Sequence, residues 1–371
     1  MNPGYSHELR ALKRSGRYRE RQRFDASLAD LASNDYLGLA ERPDLAREAF
    51  ERLERSGCYG AKASMLVNGY HDIHAAFEAA LCTANGFEAG IVVGNGFGAN
   101  LGMIEALVRK GDELFIDEKY HASGILATRL CDGKVTYFTH NDPESLEMQL
   151  KASKATRRIV AVEGIYSMDG DMLDRRIIDL AAHYDAYLII DEAHSSGIVG
   201  SRLMGVLDHF GAAVTPRMIK MGTLGKAYGG YGAYILASGE VVDYLVNRAK
   251  PVIYATAPSL FETAKAHGAL EYILENAETL GRMLQERRDL LRDALGMEMP
   301  GLIAPVPVGD NRRVMEIRDR LLEAGILAGA IRQPTVPRAI IRLIPRLGVD
   351  AAVVATACRV IREVLGEGSA G

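Results

Sequence analysis

Two short segments place a lysine and a carboxylate where both can act on one ligand. Residues 218–230, Met-Ile-Lys-Met-Gly-Thr-Leu-Gly-Lys-Ala-Tyr-Gly-Gly, read as an apolar strand running into a glycine-bracketed loop, with Thr223 just ahead of Lys226. Residues 186–194, Ala-Tyr-Leu-Ile-Ile-Asp-Glu-Ala-His, read as a second apolar strand that ends on Asp191, with His194 three residues on. A lysine amine condenses with an aldehyde to give a Schiff base. A carboxylate facing a pyridine nitrogen keeps it protonated, so that the ring accepts electrons. Pyridoxal 5'-phosphate (PLP) requires both groups, and the Thr223 hydroxyl with the neighbouring glycine backbone suits its phosphate.

Other motifs gain meaning beside this pair. Gly94-Asn-Gly-Phe-Gly98 follows a strand and opens a helix, where backbone N–H groups and the helix dipole favour a phosphate. A dinucleotide site is disfavoured, because the third glycine of that fingerprint is out of place. Asp191-Glu-Ala-His194 also spells a helicase-type box, but Gly225-Lys226 lacks the rest of a phosphate-binding GxxxxGK[ST] loop. His121, after a strand ending at Asp117, is placed to stack on an aromatic cofactor ring. His71 and His74, spaced i, i+3 at a helix start, have no third metal ligand and read as packing or cap residues. Glu163-Gly-Ile-Tyr-Ser-Met-Asp-Gly-Asp171 adds hydroxyls and carboxylates after another apolar strand.

The elements that must position these residues form an alternating pattern. Strand-like runs at 89–93, 113–116, 158–162, 187–190, 218–221 and 233–236 are separated by amphipathic segments, which implies a mostly parallel sheet covered on both faces. Ligands in such folds sit beyond the carboxyl ends of the strands, where Asp191 and Thr223 fall. Residues 259–296 read as helical, followed by a smaller α+β unit with strands near 303–308 and 339–344 and a helix at 313–324 closed by Gly325. The expected organisation is an N-terminal segment (1–40), a large PLP-binding domain (41–275) and a small C-terminal domain (276–371). Residues 1–30 are basic and helical in character, a solvated face or an arm over an acidic ligand.

At 371 residues the chain is long enough for two or three domains, and 48% apolar content implies a well-buried core. A net charge of −4 argues against nucleic acid as partner. The four separated cysteines read as free thiols in a reducing compartment. No apolar run approaches a membrane span, and the polar N-terminus lacks a signal-peptide core. The expectation is a soluble cytoplasmic protein, with neither a membrane nor a metal partner.

Taken together, Ser33-Asn-Asp-Tyr-Leu-Gly-Leu39, Glu163–Asp171, Asp-Glu-Ala-His and Gly-Lys-Ala-Tyr-Gly resemble the α-oxoamine synthases, PLP-dependent transferases of fold type I, over nearly the whole chain. The resemblance implies a seven-stranded, mostly parallel sheet and decarboxylative transfer of an acyl group from a thioester to an amino acid. Gly309-Asp310-Asn311 and Ala330–Pro337 point to the branch that joins L-alanine to pimeloyl-CoA or a pimeloyl carrier protein in biotin biosynthesis. The alternatives are siblings that acylate glycine (glycine C-acetyltransferase, 5-aminolevulinate synthase).

The resemblance also implies roles: Lys226 as Schiff-base lysine and proton shuttle, Asp191 at the pyridinium nitrogen, and His121 on the ring. His194 and Ser167 would bond the phenolic oxygen, and Gly96, Phe97 and Thr223 the phosphate. Thr256 would serve a neighbouring subunit's phosphate in a symmetric homodimer. Asn34 and Arg342 would grip the amino-acid carboxylate, and Arg19 the acyl substrate. Two departures stand out. Ala63-Ser-Met65 replaces the family's Gly-Ser-Arg, and Arg342 takes the carboxylate-binding place only with a two-residue deletion.

Overall fold

The computed structural model describes residues 4–15, 17–333 and 335–367. Its centre is a seven-stranded sheet: β1 (Ala89–Val93), β2 (Glu113–Asp117), β3 (Lys134–Phe138), β4 (Arg158–Glu163), β5 (Tyr187–Asp191), β6 (Met218–Thr223) and β7 (Ala233–Ala237). The spatial order is β1-β7-β6-β5-β4-β2-β3, and only β7 runs against the others. The strands read as continuous apolar runs because both faces are covered, with one apolar core on each side.

Six of these strands were expected; β3 was not. Its sequence, Lys-Val-Thr-Tyr-Phe, buries only Phe138 fully, because β3 is an edge strand with one neighbour. Edge strands carry polar residues that discourage further pairing, and that weakens the apolar signal.

Parallel pairing aligns the carboxyl ends of the strands. Glu163 on β4 lies opposite Asp191 on β5, and Asp191 lies opposite Met221, two residues before Thr223. Asp117, Glu163, Asp191 and Thr223 therefore close four strands at one sheet edge.

Beyond the helices at Leu260–Glu275 and Ala277–Leu295 lies an antiparallel three-stranded sheet: β8 (Ala304–Gly309), β9 (Gly329–Ile331) and β10 (Ala339–Leu343), in the order β9-β10-β8. Helices Asn311–Glu323 and Ala351–Glu367 complete this unit around a separate apolar core. Ala29–Asp30 pairs with Ile326–Leu327, and Leu31 enters that same core. Five residues on, Tyr36 is buried in the large core, so the chain from Ala29 to Tyr36 bridges the two.

The basic N-terminal stretch departs from the helical expectation. Ser6–Arg14 is helical, but residues 17–25 form no regular element. Arg17, Arg19, Arg21 and Arg23 repel one another there and offer no apolar stripe for a helix to bury. Among the described residues no helix is long and apolar enough to cross a membrane.

Candidate active site

Lys226 sits on the loop after β6, and that loop is fixed by backbone contact. Gly229 has φ +62°, and a Cβ there would stand 2.3 Å from the backbone of Leu39 and Ala40. Only glycine lets the lysine loop press against the segment carrying Asn34 and Tyr36. The amine then lies 2.8 Å from His194 Nε2, and His194 Nδ1 lies 2.5 Å from the Tyr36 hydroxyl. The Tyr36 hydroxyl donates to Asn34 Oδ1 at 3.3 Å.

Asp191 is anchored from the other side. Asn100 Nδ2 donates to Asp191 Oδ2 at 2.7 Å, and the Ala193 N–H donates to Oδ1 at 2.9 Å. Asn100 is held in turn by the Tyr120 hydroxyl, which donates to its Oδ1 at 2.9 Å. Its helix, α1 (Gly96–Leu107), starts from the Gly-rich turn. Asn95 caps it by accepting from the Gly98 N–H at 2.7 Å. As the first helical residues, Gly96 and Phe97 have N–H groups with no intrahelical acceptor. A Cβ on Gly96 would stand 3.6 Å from Thr223 Cβ, so the helix start and that hydroxyl face one space.

These groups line a pocket of about 190 Å³ that includes Gly96, Phe97, His121, Asp191, Thr223 and Lys226. His121 precedes helix α2 (Ala122–Ala127), and its Nδ1 lies 2.7 Å from the Ser123 hydroxyl. Glu163 also lines the pocket: Oε2 accepts from the Ser167 N–H at 3.0 Å, while Oε1 is buried without a hydrogen-bond partner among the described residues.

The electrostatics follow from crowding. Burial pulls the Lys226 amine down to about 8, against the pull of Asp191 and Glu163 and with help from Arg342. Burial also pushes His194 well below the usual imidazole range, and the charges of Lys226 and Arg342 add to that. His121 is lowered by burial and by Lys226, with Asp191 opposing. Burial raises Glu163 well above the carboxylate range, and the charge of Asp191, its register partner, adds to that.

Arg342 lies on β10 and is 7% exposed. Its Nε donates to the Ser167 carbonyl at 3.0 Å and its Nη1 to Asn34 Oδ1 at 3.0 Å. Among the described residues it has no carboxylate partner. A buried cation without a counter-ion is costly unless a ligand supplies the charge. Ile344, two residues on, belongs to the large apolar core.

The remaining expected residues lie further out. Arg19 is exposed and donates to the Thr335 hydroxyl at 3.3 Å. Thr256 is exposed, outside this pocket, and bridged through its backbone to Ser64 beside Met65. His71 and His74 form a helix cap: the His71 N–H donates to His74 Nδ1 at 3.2 Å, and His74 Nε2 lies 3.0 Å from the Pro258 carbonyl.

Sequence reasoning passed over Tyr36, Asn100, Tyr120 and Glu163 as site residues. A polar Asn100 on an otherwise apolar helix turn was the one local signal for its role.

A family model described as aminotransferase class I and II matches residues 26–361. The chain belongs to the class I and II aminotransferase family. Within it, the chain is 40% identical over 341 residues to an 8-amino-7-oxononanoate synthase of Helicobacter pylori, with 91% of each chain covered. It is 38% identical over 363 residues to the Geobacter sulfurreducens enzyme of the same name, with 92% of each covered. A solved serine palmitoyltransferase of Sphingomonas wittichii superposes with a TM-score of 0.85 at 25% identity, covering 97% of each chain. The α-oxoamine synthase resemblance read from the motifs agrees with these relatives, and the fold is that of type I PLP-dependent transferases.

The pocket fits PLP on its own chemistry: an amine with lowered proton affinity, an anchored carboxylate opposite, and open N–H groups beside a hydroxyl for the phosphate.

Proposed function

We propose that this protein condenses L-alanine with a pimeloyl thioester to give 8-amino-7-oxononanoate, CO2 and the free thiol, in biotin biosynthesis. The relatives of that name support the reaction. The observation that carries the amino-acid half is Arg342, a buried cation near Lys226 that has no carboxylate partner among the described residues.

PLP, when bound, supplies an aldehyde for the amine and a ring that accepts the electron pair released at the substrate α-carbon. The chain's own residues do the rest. Lys226 holds the cofactor and moves the α-proton, a task suited to an amine near 8. Asp191, fixed by Asn100, keeps the pyridine nitrogen protonated. His121, which lines the pocket, would cover the ring. His194 and Ser167 would hold the phenolic oxygen, and His194 Nδ1 lies within hydrogen-bond reach of the Tyr36 hydroxyl. Gly96, Phe97 and Thr223 take the phosphate. Arg342 and Asn34 orient the amino-acid carboxylate that later leaves as CO2.

The reading includes a cytoplasmic, symmetric homodimer, in which Thr256 reaches the neighbour's phosphate. The exposed place of Thr256 outside its own chain's pocket supports this, and sedimentation of the PLP-loaded protein tests it.

The decisive assay is thiol release by the PLP-loaded protein. Release with pimeloyl-CoA and L-alanine, and not with glycine plus acetyl-CoA or succinyl-CoA, is the expected result. Release only with glycine and a short acyl-CoA would move the protein to a sibling activity.

A further inference from the structure

A second cavity, of about 670 Å³, opens beside the Lys226 pocket, and His121 lines both. One wall is a single helical stripe. His121, Ile125 and Arg129 recur at four-residue spacing along and just past α2, with Leu126 alongside, and all four line the cavity. Met168 and Val336 face them. The run from His121 to Arg129 covers about 12 Å at helical rise, the length scale of an extended seven-carbon diacid chain. The middle of the cleft is thus apolar and its far end cationic.

The charged side chains that line the cavity are not equivalent. Lys119 pairs with Asp169 at 3.0 Å, and Glu118 accepts from the His140 N–H at 3.1 Å. Arg129 has no hydrogen-bond or ion-pair partner for its side chain among the described residues. It is a free, bidentate-capable cation at the end of an apolar cleft that begins at the reacting centre.

Resting on the function proposed above, we infer that Arg129 binds the terminal carboxylate of the dicarboxylic acyl chain and so selects it over a monocarboxylic chain of equal length. The apolar residues between His121 and Arg129 fit a methylene run. A phosphate-bearing carrier would gain nothing from them.

The test compares the PLP-loaded wild type with Arg129→Met and Arg129→Lys, using L-alanine with pimeloyl-CoA, heptanoyl-CoA and the pimeloyl thioester of N-acetylcysteamine. The first two acyl groups have the same carbon count and differ in the terminal carboxylate. The third keeps the carboxylate and lacks the carrier's phosphates. Arg129→Met should lower kcat/KM for both pimeloyl thioesters by roughly 10- to 100-fold, mainly through KM, as loss of a charged hydrogen-bond pair predicts. Heptanoyl-CoA should change by no more than about 2-fold, and Arg129→Lys should restore part of the selectivity. Equal losses with pimeloyl-CoA and heptanoyl-CoA, with none for the N-acetylcysteamine thioester, would assign Arg129 to the carrier's phosphates and overturn the inference. So would an unchanged selectivity. If the wild type itself turns over no pimeloyl thioester with L-alanine, the functional reading falls and this inference with it.

Discussion

Lys220 and Lys226 are six residues apart, one on β6 and one on the loop after it, and both are surrounded by protein. Their environments are opposite in kind. Lys220 is 1% exposed, donates to Asn85 Oδ1 at 2.7 Å and to the Met204 carbonyl, and lies 4.0 Å from Glu192. Glu192 in turn accepts from the Val206 N–H and the Ser195 hydroxyl. Among the described residues Lys226 has one hydrogen-bond partner, the imidazole of His194, and it opens into a pocket. Burial lowers the proton affinity of both. The satisfied lysine ties β6 to the loop at 204–206, whereas the under-satisfied one keeps its amine available. Partner count, more than burial, separates a structural lysine from a reactive one.

The comparison breaks first at Lys226. Lys226→Ala should fold normally and lose thiol-releasing activity by at least about 10⁴-fold, since anchor and proton carrier go together. Lys220→Met should do the reverse. It leaves Asn85, Met204 and Glu192 short of a donor, so urea unfolding should show a loss of about 3 kcal/mol, with activity per folded molecule retained. Comparable activity losses in the two variants would erase the distinction.

Asp191→Asn keeps the shape but removes the charge that faces the ring. Steady-state kinetics should show a fall in kcat on the order of 10²- to 10³-fold, with little change in stability.

The smallest effect is a titration. In the cofactor-free protein the neutral Lys226 amine predominates above about 8. Reductive methylation at Lys226, followed by peptide mass mapping, should therefore rise with pH and level off above about 8. Ordinary exposed lysines should keep rising toward their usual range near roughly 10.4. Lys220 should stay unmodified until the protein unfolds.

The same contrast explains what could be read in the sequence. Lys226, Asp191, His194 and Thr223 follow apolar strands directly, so their place at the sheet edge was legible from local pattern. Tyr36 reaches His194 across 158 residues of chain, and Asn100 reaches Asp191 across 91. Those contacts exist only once the sheet order is set, and no spacing rule announces them. Glu163 was visible as a strand end, but its raised proton affinity comes from burial and from its register with Asp191, which appear only once the sheet is assembled. Strand β3 was hidden because an edge position needs few buried residues. Lys220 looked like an ordinary part of a strand. Its structural role rests on Asn85, 135 residues away.

The most direct measurement is borohydride reduction of the PLP-loaded protein, followed by peptide mass mapping. The predicted result is one modified residue, Lys226, with Lys220 untouched. A label on Lys220, or on neither lysine, would contradict the assignment of Lys226 as the reactive amine.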